Sequence, residues 1–371
     1  MFLNTRMKKP IVADRDIDCF IYIRKYNHVE EEKKHGLNWL FHRVVHQCDP
    51  TGIVYTKYYE PFRNIETKPG ITLASKSTRV YSGEYNGINH YRVEDGFING
   101  MLREDDYGLA RPYKAVIPKG TEFYVNNGMF RIAARKMTIS KEAVTVMPTL
   151  QETLSPMMPL LLEEIFGNDD KVKPGFYYLN DGTYLNPNKA KMDFLAYVCG
   201  IVTGVNGDNV TVMSIDEKQF TWCKLEHPTR ICDDTDVDSS GDEVMLKLMR
   251  NEHYGDAFAP ARWCTKYENA GSLRGTWHMG SVPEVISAVR ENMLEINLAI
   301  AHMNDVYGIL TQSDGTYPLI DCLGHYWTSV DSDDEYAYSV DGTDGRLVRS
   351  NKLTAEHNVR AFMTKIKPLT L

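Results

Sequence analysis

Sequence signatures of common enzyme classes are missing from this chain of 371 residues. It has no Gly-x-Ser-x-Gly motif, no phosphate-binding loop and no dinucleotide-binding fingerprint. No run approaches the roughly 18 apolar residues of a membrane span, so we predict none. The basic N-terminal residues are not followed by a hydrophobic segment and a small-residue cleavage site, so we predict no secretory signal.

Cysteine pairs at metal-site or redox spacing are also missing. The seven cysteines are odd in number, widely scattered and never spaced as CxxC. A chain of this length can build a core without disulfides, so we expect free thiols formed in a reducing cytoplasm. The eleven histidines are scattered as well, and we predict no catalytic zinc site.

Charge is distributed unevenly along the chain. Residues 1–145 carry 23 Lys and Arg against 17 Asp and Glu, whereas the rest carries 19 against 33, and the whole chain has a net charge of −8. An acidic C-terminal part argues against nucleic acid as its partner. The basic N-terminal part could dock on an acidic protein surface or complement its own neighbour.

Residues 1–145 predict a β-rich anchoring module. Strand-like runs occur at 19–23, 39–45 and 115–125, the last interrupted by a Pro-Lys-Gly turn. Asn-Gly pairs at 86–87 and 127–128 are typical of hairpin turns. The charged stretch 30–34 indicates a solvated loop or a short helix.

Residues 146–172 predict a connector with one or two short helices, broken by two prolines and ended by a glycine at 167. From residue 173 the pattern is that of strands again. We expect a hairpin around the Asn-Asp-Gly turn at 180–182 and two buried strands at 197–202 and 209–215. A helix is expected over 243–249.

The clearest helix prediction begins at Ser281. Ser281 and Glu284 form a capping-box pattern, in which each side chain bonds the backbone N–H of the other residue. One apolar stripe then runs along a single long helix, on Val282, Val285, Ile286, Val289, Met293, Ile296 and Ile300.

Several short motifs occur in a fixed order in the C-terminal part. They are Tyr-Tyr-x-x-Asp-Gly-Thr (177–183), Gly-Ile-Val (200–202), Ala-x-Trp-Cys (261–264), Gly-Thr-Trp-x-Met-x-Ser-x-x-Glu (275–284), Tyr-Trp-Thr-Ser (326–329) and Val-Arg-x-Phe (359–362). In this order they resemble the domain family named after the C-terminal part of a collagen-like bacterial adhesin, which is common in Bacteroidetes and their phages. The resemblance implies a C-type-lectin-like fold over about 173–365. One departure is Trp277-His278-Met279-Gly280, where the family usually has Trp-x-Leu-Pro.

The N-terminal part is similar to modules of crAss-like phage virion proteins, through residues 13–20, 116–121 and 123–124. The two resemblances together imply an α+β protein: a β-rich N-terminal module (1–145), the connector (146–172) and a C-type-lectin-like display domain (173–371). Fold alone does not fix function.

An acidic segment at 233–243 is the candidate metal site. Asp234, Asp236 and Asp238 alternate as the first ligands of an EF-hand loop do, and Ca²⁺ is the cation they would hold. The pattern then departs, with Ser239 in place of the loop glycine and Met245 in place of the final glutamate. An acidic turn capping the helix near Glu243 is the alternative. No other cofactor is expected.

A second acidic run, 331–335, follows Tyr-Trp-Thr-Ser where the resembled family places an exposed loop. It predicts a solvated hairpin tip, which could also join the first cluster in a cation site.

The resembled family looks like a variant of the fold of the formylglycine enzymes, which use cysteine chemistry. Cys264 is therefore a candidate nucleophile, but a buried inert thiol is the preferred interpretation. Trp277 and Trp327 are expected in the core. From loop position alone, the candidate ligand contacts are Tyr254, Tyr267, Asn269, Arg274, His278, His325, Asp333 and Tyr336.

These observations predict a non-enzymatic phage virion surface protein of the head-fibre or decoration type, made in the bacterial cytoplasm. Its expected partners are other virion proteins, further copies of itself in a dimer or trimer, and a host surface glycan, with no nucleic acid. A purely architectural capsid or tail component and a bacterial surface adhesin are the alternatives. The lack of a signal peptide favours the virion.

Overall fold

The structure is a computed structural model of the chain. It describes residues 3–5, 7, 9–25, 54–56, 70, 72–74, 79–85, 88–94, 98–101, 111–129, 131–146, 148–251, 255, 257–272, 276–311 and 317–366. The chain divides into two compact units, Met1–Glu164 and Ile165–Leu371, and each is described by itself. Strand outweighs helix among the described residues, so the protein belongs to a β-rich α+β class.

The first unit is built mainly from antiparallel strands, with one parallel pair between β3 and β4. The described strands are β1 (Leu3–Thr5), β2 (Ile11–Val12), β3 (Ile17–Lys25), β4 (Val54–Thr56), β5 (Thr72–Ala74), β6 (Arg79–Tyr85), β7 (Ile88–Glu94), β8 (Ile98–Met101), β9 (Arg111–Ile117), β10 (Glu122–Val125), β11 (Arg131–Ala134) and β12 (Lys136–Ala143). They form a three-stranded sheet in the order β1-β7-β6 and a nine-stranded sheet in the order β2-β10-β11-β8-β3-β9-β12-β5, in which β4 pairs with β3.

Strand β3 lies inside the large sheet and confirms the strand expected at 19–23. It pairs with β9 over seven residues, and its Cys19 and Ile21 are buried as the two-residue period of a strand requires. The strand, turn and strand expected at 115–125 are also present, with Gly120 at a positive φ of 81°. Residues 30–34 and 39–45 lie outside the described residues.

Both hairpins expected at Asn-Gly pairs are confirmed by strand pairing. Strands β6 and β7 pair with Tyr85 opposite Ile88, although residues 86–87 themselves are not among those described. Strands β10 and β11 pair across the other turn. There the left-handed residue is Met129, at φ 57°, because the turn closes through Met129 N–H donating to the Asn126 carbonyl.

The connector folds as expected into short helices. These are α1 (Leu150–Leu154), a 3₁₀ turn (Ser155–Met157) and α2 (Met158–Phe166). Thr149 and Glu152 form a capping box at the start of α1. Gly167 follows α2 at φ 54°, which confirms it as the residue that ends the helix.

The second unit contains two sheets. Its described strands are β13 (Tyr177–Leu179), β14 (Tyr184–Leu185), β15 (Val198–Asn206), β16 (Asn209–Ser214), β17 (Lys218–Phe220), β18 (His278–Met279), β19 (His325–Asp331), β20 (Tyr336–Asp341), β21 (Leu347–Asn351), β22 (His357–Val359) and β23 (Ala361–Ile366). The six-stranded sheet has the order β14-β13-β15-β16-β23-β18, and the five-stranded sheet has the order β17-β22-β19-β20-β21. The predicted hairpin around 180–182 and the predicted strands near 197–202 and 209–215 are confirmed.

Helices accompany these sheets. They are α3 (Met192–Leu195), α4 (Gly241–Arg250), α5 (Ala259–Lys266), α6 (Val282–Ile286) and α7 (Met293–Thr311), with 3₁₀ turns at Pro187–Lys189 and Asp234–Asp238. Helix α4 confirms the helix expected at 243–249, and Ser240 with Glu243 caps it. The capping box of Ser281 and Glu284 at α6 is confirmed as well. No helix within the described ranges combines the length and apolar character that a membrane span needs.

The single long helix predicted from Ser281 is wrong in one respect, because a π-helical segment (Ser287–Glu291) separates α6 from α7. The interruption has a local cause at Asn292, whose φ of −128° is not helical. Its side chain is buried and donates to the Thr203 carbonyl at 2.8 Å and to the Ser287 carbonyl at 3.0 Å. Asn292 therefore ties the helix to strand β15 at the point where the helical ladder breaks.

An ion pair with no exposed surface lies beside the five-stranded sheet. The Lys352 ammonium lies 2.7 Å from the Asp331 carboxylate, and both side chains are 0% exposed. Lys352 also donates to the Thr229 carbonyl and lies 5.0 Å from the centre of the Trp222 ring. Asp331 accepts the backbone N–H groups of Ile231 and Cys232. Both charges are thus fully compensated, as burial requires.

Removing one partner of this pair should be costly. We expect Lys352→Met to lower the free energy of unfolding by about 3–5 kcal/mol, because the Asp331 carboxylate would stay buried without its cation. Urea unfolding followed by tryptophan fluorescence measures this, since four of the five tryptophans lie in residues 165–371.

The matched control is Lys189→Met. Lys189 pairs with Asp170 at 2.6 Å, but these side chains are 34% and 82% exposed. Its loss should cost less than about 1 kcal/mol. Equal effects of the two variants would contradict the role assigned to the buried pair.

Candidate functional site

The predicted ligand contacts that the structure describes are buried or half-buried. Tyr254 and Arg274 lie outside the described residues. Tyr267 and His278 are buried, and Asn269, His325, Asp333 and Tyr336 are half-buried. These six belong to separate parts of the second unit, so each is described on its own.

Tyr267 follows helix α5 and packs into the core, which contradicts its assignment to an exposed loop. Its ring meets Trp277 edge-on at 5.0 Å between centroids, and its hydroxyl donates to Asp216 at 2.9 Å. Burial is the main reason that the pKa of Tyr267 is raised. Asn269 is two residues further on, where its backbone N–H donates to the Ser272 hydroxyl and holds a turn.

His278 is not an exposed contact either, because its ring is enclosed between two carboxylates. Its Nε2 lies 2.9 Å from Glu284, the capping residue of α6, and its Nδ1 forms an ion pair at 2.9 Å with Asp242 of α4. The Nδ1 contact is close but lies outside hydrogen-bond geometry. A Cβ at Gly241 would overlap the ring, so only glycine fits at the start of α4.

The carboxylates decide the charge of His278. Burial alone lowers the pKa of this histidine, but the contacts with Asp242 and Glu284 outweigh burial and raise the pKa to about 9. The close contact with His278 in turn lowers the pKa of Asp242. The imidazole is therefore a cation at neutral pH that joins α4, α6 and β18.

His325 lies in a stack of rings on the five-stranded sheet. Its ring centre is 5.0 Å from that of His357, and His357 is 4.4 Å from Trp327. Burial, followed by the neighbouring His325, lowers the pKa of His357 to about 4. Both rings therefore act as packing groups. His357 is neutral at physiological pH.

Asp333 and Tyr336 lie at the hairpin tip between β19 and β20. Asp333 accepts the backbone N–H groups of Glu335 and Tyr336, and Arg349 pairs with Asp333 while covering the Tyr336 ring at 5.0 Å. The solvated tip is confirmed for its exposed residues 334 and 335. It is wrong for Asp331, which is buried against Lys352.

The acidic segment around Asp236 is held by cations of the protein. Asp236 is buried and pairs with Lys247 at 2.7 Å, and Asp234 pairs with Arg230. Burial is the largest single effect on the pKa of Asp236 and raises it. The hydrogen bond from Lys247 and the neighbouring backbone and cationic groups outweigh burial, so the pKa is lowered overall. Asp238 ends the 3₁₀ turn just before the Ser240 cap of α4.

The two acidic runs do approach each other through the Arg230 backbone N–H, which donates to Asp334 at 2.8 Å. Within the described part of the chain, however, no three His, Cys, Asp or Glu side chains converge as metal ligands do. Calcium binding stays a prediction. The sequence also holds His42 and His46, four residues apart as in helical zinc sites, and both lie outside the described residues.

Cys264 lies in helix α5 and is fully buried, as expected. Its sulfur faces the Arg360 carbonyl at 3.9 Å, and burial holds the pKa of the thiol well above its ordinary value. Since the thiolate is the nucleophile, this environment favours an inert packing role.

Sequence reasoning missed Arg360 as a structural centre, although it stands in the Val-Arg-x-Phe motif. The guanidinium is buried, donates to Glu217 at 2.9 Å and also donates to the carbonyls of Ser214, Ile215 and Pro318. Trp277 and Trp327 are each 1% exposed, which confirms their place in the core. The motifs thus mark the scaffold of the second unit.

Comparison with protein-family models and with curated proteins finds no match to this chain. Among solved structures, one match is the crystal structure of a fimbrial protein from Bacteroides ovatus ATCC 8483. It is 9% identical, with a TM-score of 0.32, over 96% of this chain and 71% of that one. A likeness at this level does not establish a shared fold, so function rests on the chain's own residues.

The charge of His278 makes stability depend on pH. Its folded pKa of about 9 is higher than the roughly 6.5 of an unfolded histidine, so its contribution is complete below about pH 6.5 and is lost as the pH rises through 9. We expect the melting temperature to fall between about pH 7 and pH 10, and to fall less in His278→Gln.

The exposed His227 provides the control, because His227→Gln should retain the full decline. Thermal unfolding across this pH range, followed by circular dichroism, measures all three proteins. Parallel curves for wild type and His278→Gln would contradict the charged state assigned to His278.

Cys264 should resist alkylation in the folded protein. Iodoacetamide at neutral pH is expected to modify Cys264 only after denaturation, because burial keeps the thiol protonated and inaccessible. Peptide mass spectrometry before and after denaturation measures the extent of labelling. Rapid native labelling of Cys264 would revive the nucleophile hypothesis.

Proposed function

We propose that this chain is a non-enzymatic surface-displayed attachment protein, of the head-fibre or decoration type on a phage virion. Its second unit is the displayed, C-type-lectin-like domain, and its first unit is the anchor. The host glycan is the ligand proposed for the displayed domain. Two things support this proposal: the sequence resemblances, and the way in which the second unit is built.

The observation that carries the proposal is that the motif residues hold the scaffold of the second unit together. Trp277 and Trp327 are buried, Arg360 binds three backbone carbonyls, and Glu284 holds both the Ser281 cap and His278. Arg360 and Trp327 each bond a chain segment that is distant in sequence, and Glu284 fixes the local turn before α6. A scaffold whose recurring residues all serve packing leaves its loops and grooves free to vary, which suits a domain that displays a binding surface.

The chemistry of the thiols supports a non-enzymatic role. The six cysteines of the described residues are free and buried. Burial raises the pKa of Cys199 to about 11 and that of Cys232 to about 12. Thiols in such surroundings stay protonated and pack as small apolar groups.

Anchoring through the first unit is proposed from its charge. Residues 1–145 have an excess of basic side chains and the remaining chain has an excess of acidic ones. A basic module can dock on an acidic partner, and electrostatic attraction speeds such association. We propose a virion protein as that partner, and a symmetric dimer or trimer as the displayed form.

The location of the protein tests the proposal directly. An antibody against the purified chain should label phage particles released by lysis, seen by immunogold electron microscopy of the strain that carries the gene. Particles of a deletion mutant, prepared in parallel, are the control and should stay unlabelled. Label on intact cell surfaces instead would contradict the virion role and favour an adhesin.

A further inference from the structure

The groove beside the π-helical segment has a volume of about 620 Å³ and is formed within the second unit. Its walls are the segment 171–174, the end of the β15–β16 hairpin and the π-helical turn Ser287–Glu291. Ligand pockets in proteins typically measure about 300–1,000 Å³. π-Helical turns are rare and occur frequently at functional sites. None of the six predicted ligand contacts that the structure describes lines this groove.

Hydrogen bonds hold the walls of the groove in place. The Ser287 hydroxyl donates to the Thr203 carbonyl at 3.0 Å, beside the bond from Asn292 to the same carbonyl. Directly after the segment 171–174, the Gly175 backbone N–H donates to the Val202 carbonyl of β15 at 2.8 Å. The groove is therefore formed before any ligand arrives, which lowers the entropic cost of binding.

Glycines leave the backbone of the hairpin open to a ligand. Gly204 lines the groove, and a Cβ there would lie 3.3 Å from the Ser287 hydroxyl oxygen. Gly207 lies at the turn with φ 58° and has open space where a side chain would be. The hairpin thus packs closely against the π-helical turn at Gly204, whereas Gly207 leaves room for a ligand to approach the main chain.

The charged groups of the groove differ in what they offer. Lys173 is committed, since its ammonium donates to the carbonyls of Ile165 and Phe166 at the end of α2. Lys171 is exposed, and Glu291 is half-buried on the π-helical turn. Lys171, Lys173 and Glu291 thus line the groove with charges of both signs, beside the apolar Val172 and Val205.

A ligand suited to this lining uses both hydrogen-bond donors and hydrogen-bond acceptors. Ammonium groups only donate and carboxylates only accept, whereas each sugar hydroxyl does both. The apolar side chains can cover the C–H face of a pyranose ring. We propose that this groove binds a pyranose unit of a neutral glycan, with Glu291 accepting from and Lys171 donating to its hydroxyls. The inference rests on the proposed function, because it assigns a site to the glycan.

Binding of defined sugars to the full chain tests the site. The probes are neutral oligosaccharides of mannose, glucose, xylose and N-acetylglucosamine, with a heparin oligosaccharide as the anionic comparison, all measured by isothermal titration calorimetry. We expect a neutral probe to bind and the heparin probe not to. Lys171→Ala/Glu291→Ala should weaken that binding about tenfold or more, since bonds to charged groups are the stronger ones.

The matched control is Lys224→Ala/Glu226→Ala, which removes the same charges at exposed positions outside the groove and should bind as wild type does. Thermal unfolding of each variant checks the fold. Should the double variant be destabilised, Lys171→Ala alone serves, because Lys171 is exposed and its backbone rather than its ammonium bonds Asp169.

The remaining outcomes overturn the inference in distinguishable ways. Neutral binding that is unchanged in the groove variants would refute the site and leave the proposed function standing. Binding of heparin alone would refute the neutral class of ligand. Binding of no probe would refute the site together with the glycan part of the proposed function, while immunogold labelling of particles would still decide the display role.

Discussion

The buried ion pair of Lys352 and Asp331 is the constraint on which the scaffold of the second unit depends. Neither side chain has exposed surface, so neither charge can turn to water if the other is lost. Asp331 ends strand β19 and binds the irregular segment at Ile231 and Cys232. Lys352 follows strand β21 and reaches the Thr229 carbonyl. One pair thus fixes two strands and a segment that has no regular secondary structure of its own.

Arg360 repeats this arrangement at the six-stranded sheet, where it precedes β23 and pairs with Glu217. Buried ion pairs contribute little net stability compared with apolar packing, yet they tolerate few alternative arrangements. Two such centres therefore specify how strands and irregular segments fit together rather than how strongly they are held. This accounts for the buried position of Arg360 in the Val-Arg-x-Phe motif, where its bonds go to the protein's own carbonyls and to Glu217.

Local patterns in the sequence predicted the local structure well. The capping box predicted at Ser281 needs only residues three apart, so the sequence contains all of its determinants, and the box at Ser240 has the same spacing. The π-helical interruption could not be predicted, because its cause is the bond from Asn292 to Thr203, which is 89 residues away in the chain. His278 was misassigned for the same reason: its position after a loop indicated exposure, but Asp242 and Gly241 of another helix enclose it. The groove could not be predicted from the sequence either, because three segments that are distant in the chain form its walls.

A rigid scaffold with variable grooves is the physical basis of the display function proposed for this chain. Hydrogen exchange of single amides tests that rigidity most directly, at Ile231 and Cys232. These amides lie outside helices and strands, yet they donate to the buried Asp331 carboxylate. The account predicts that they exchange as slowly as the amides of strand β19, because both require opening of the core. Exchange as fast as that of the amide of Val146, a residue that is 81% exposed, would contradict the central role of the ion pair.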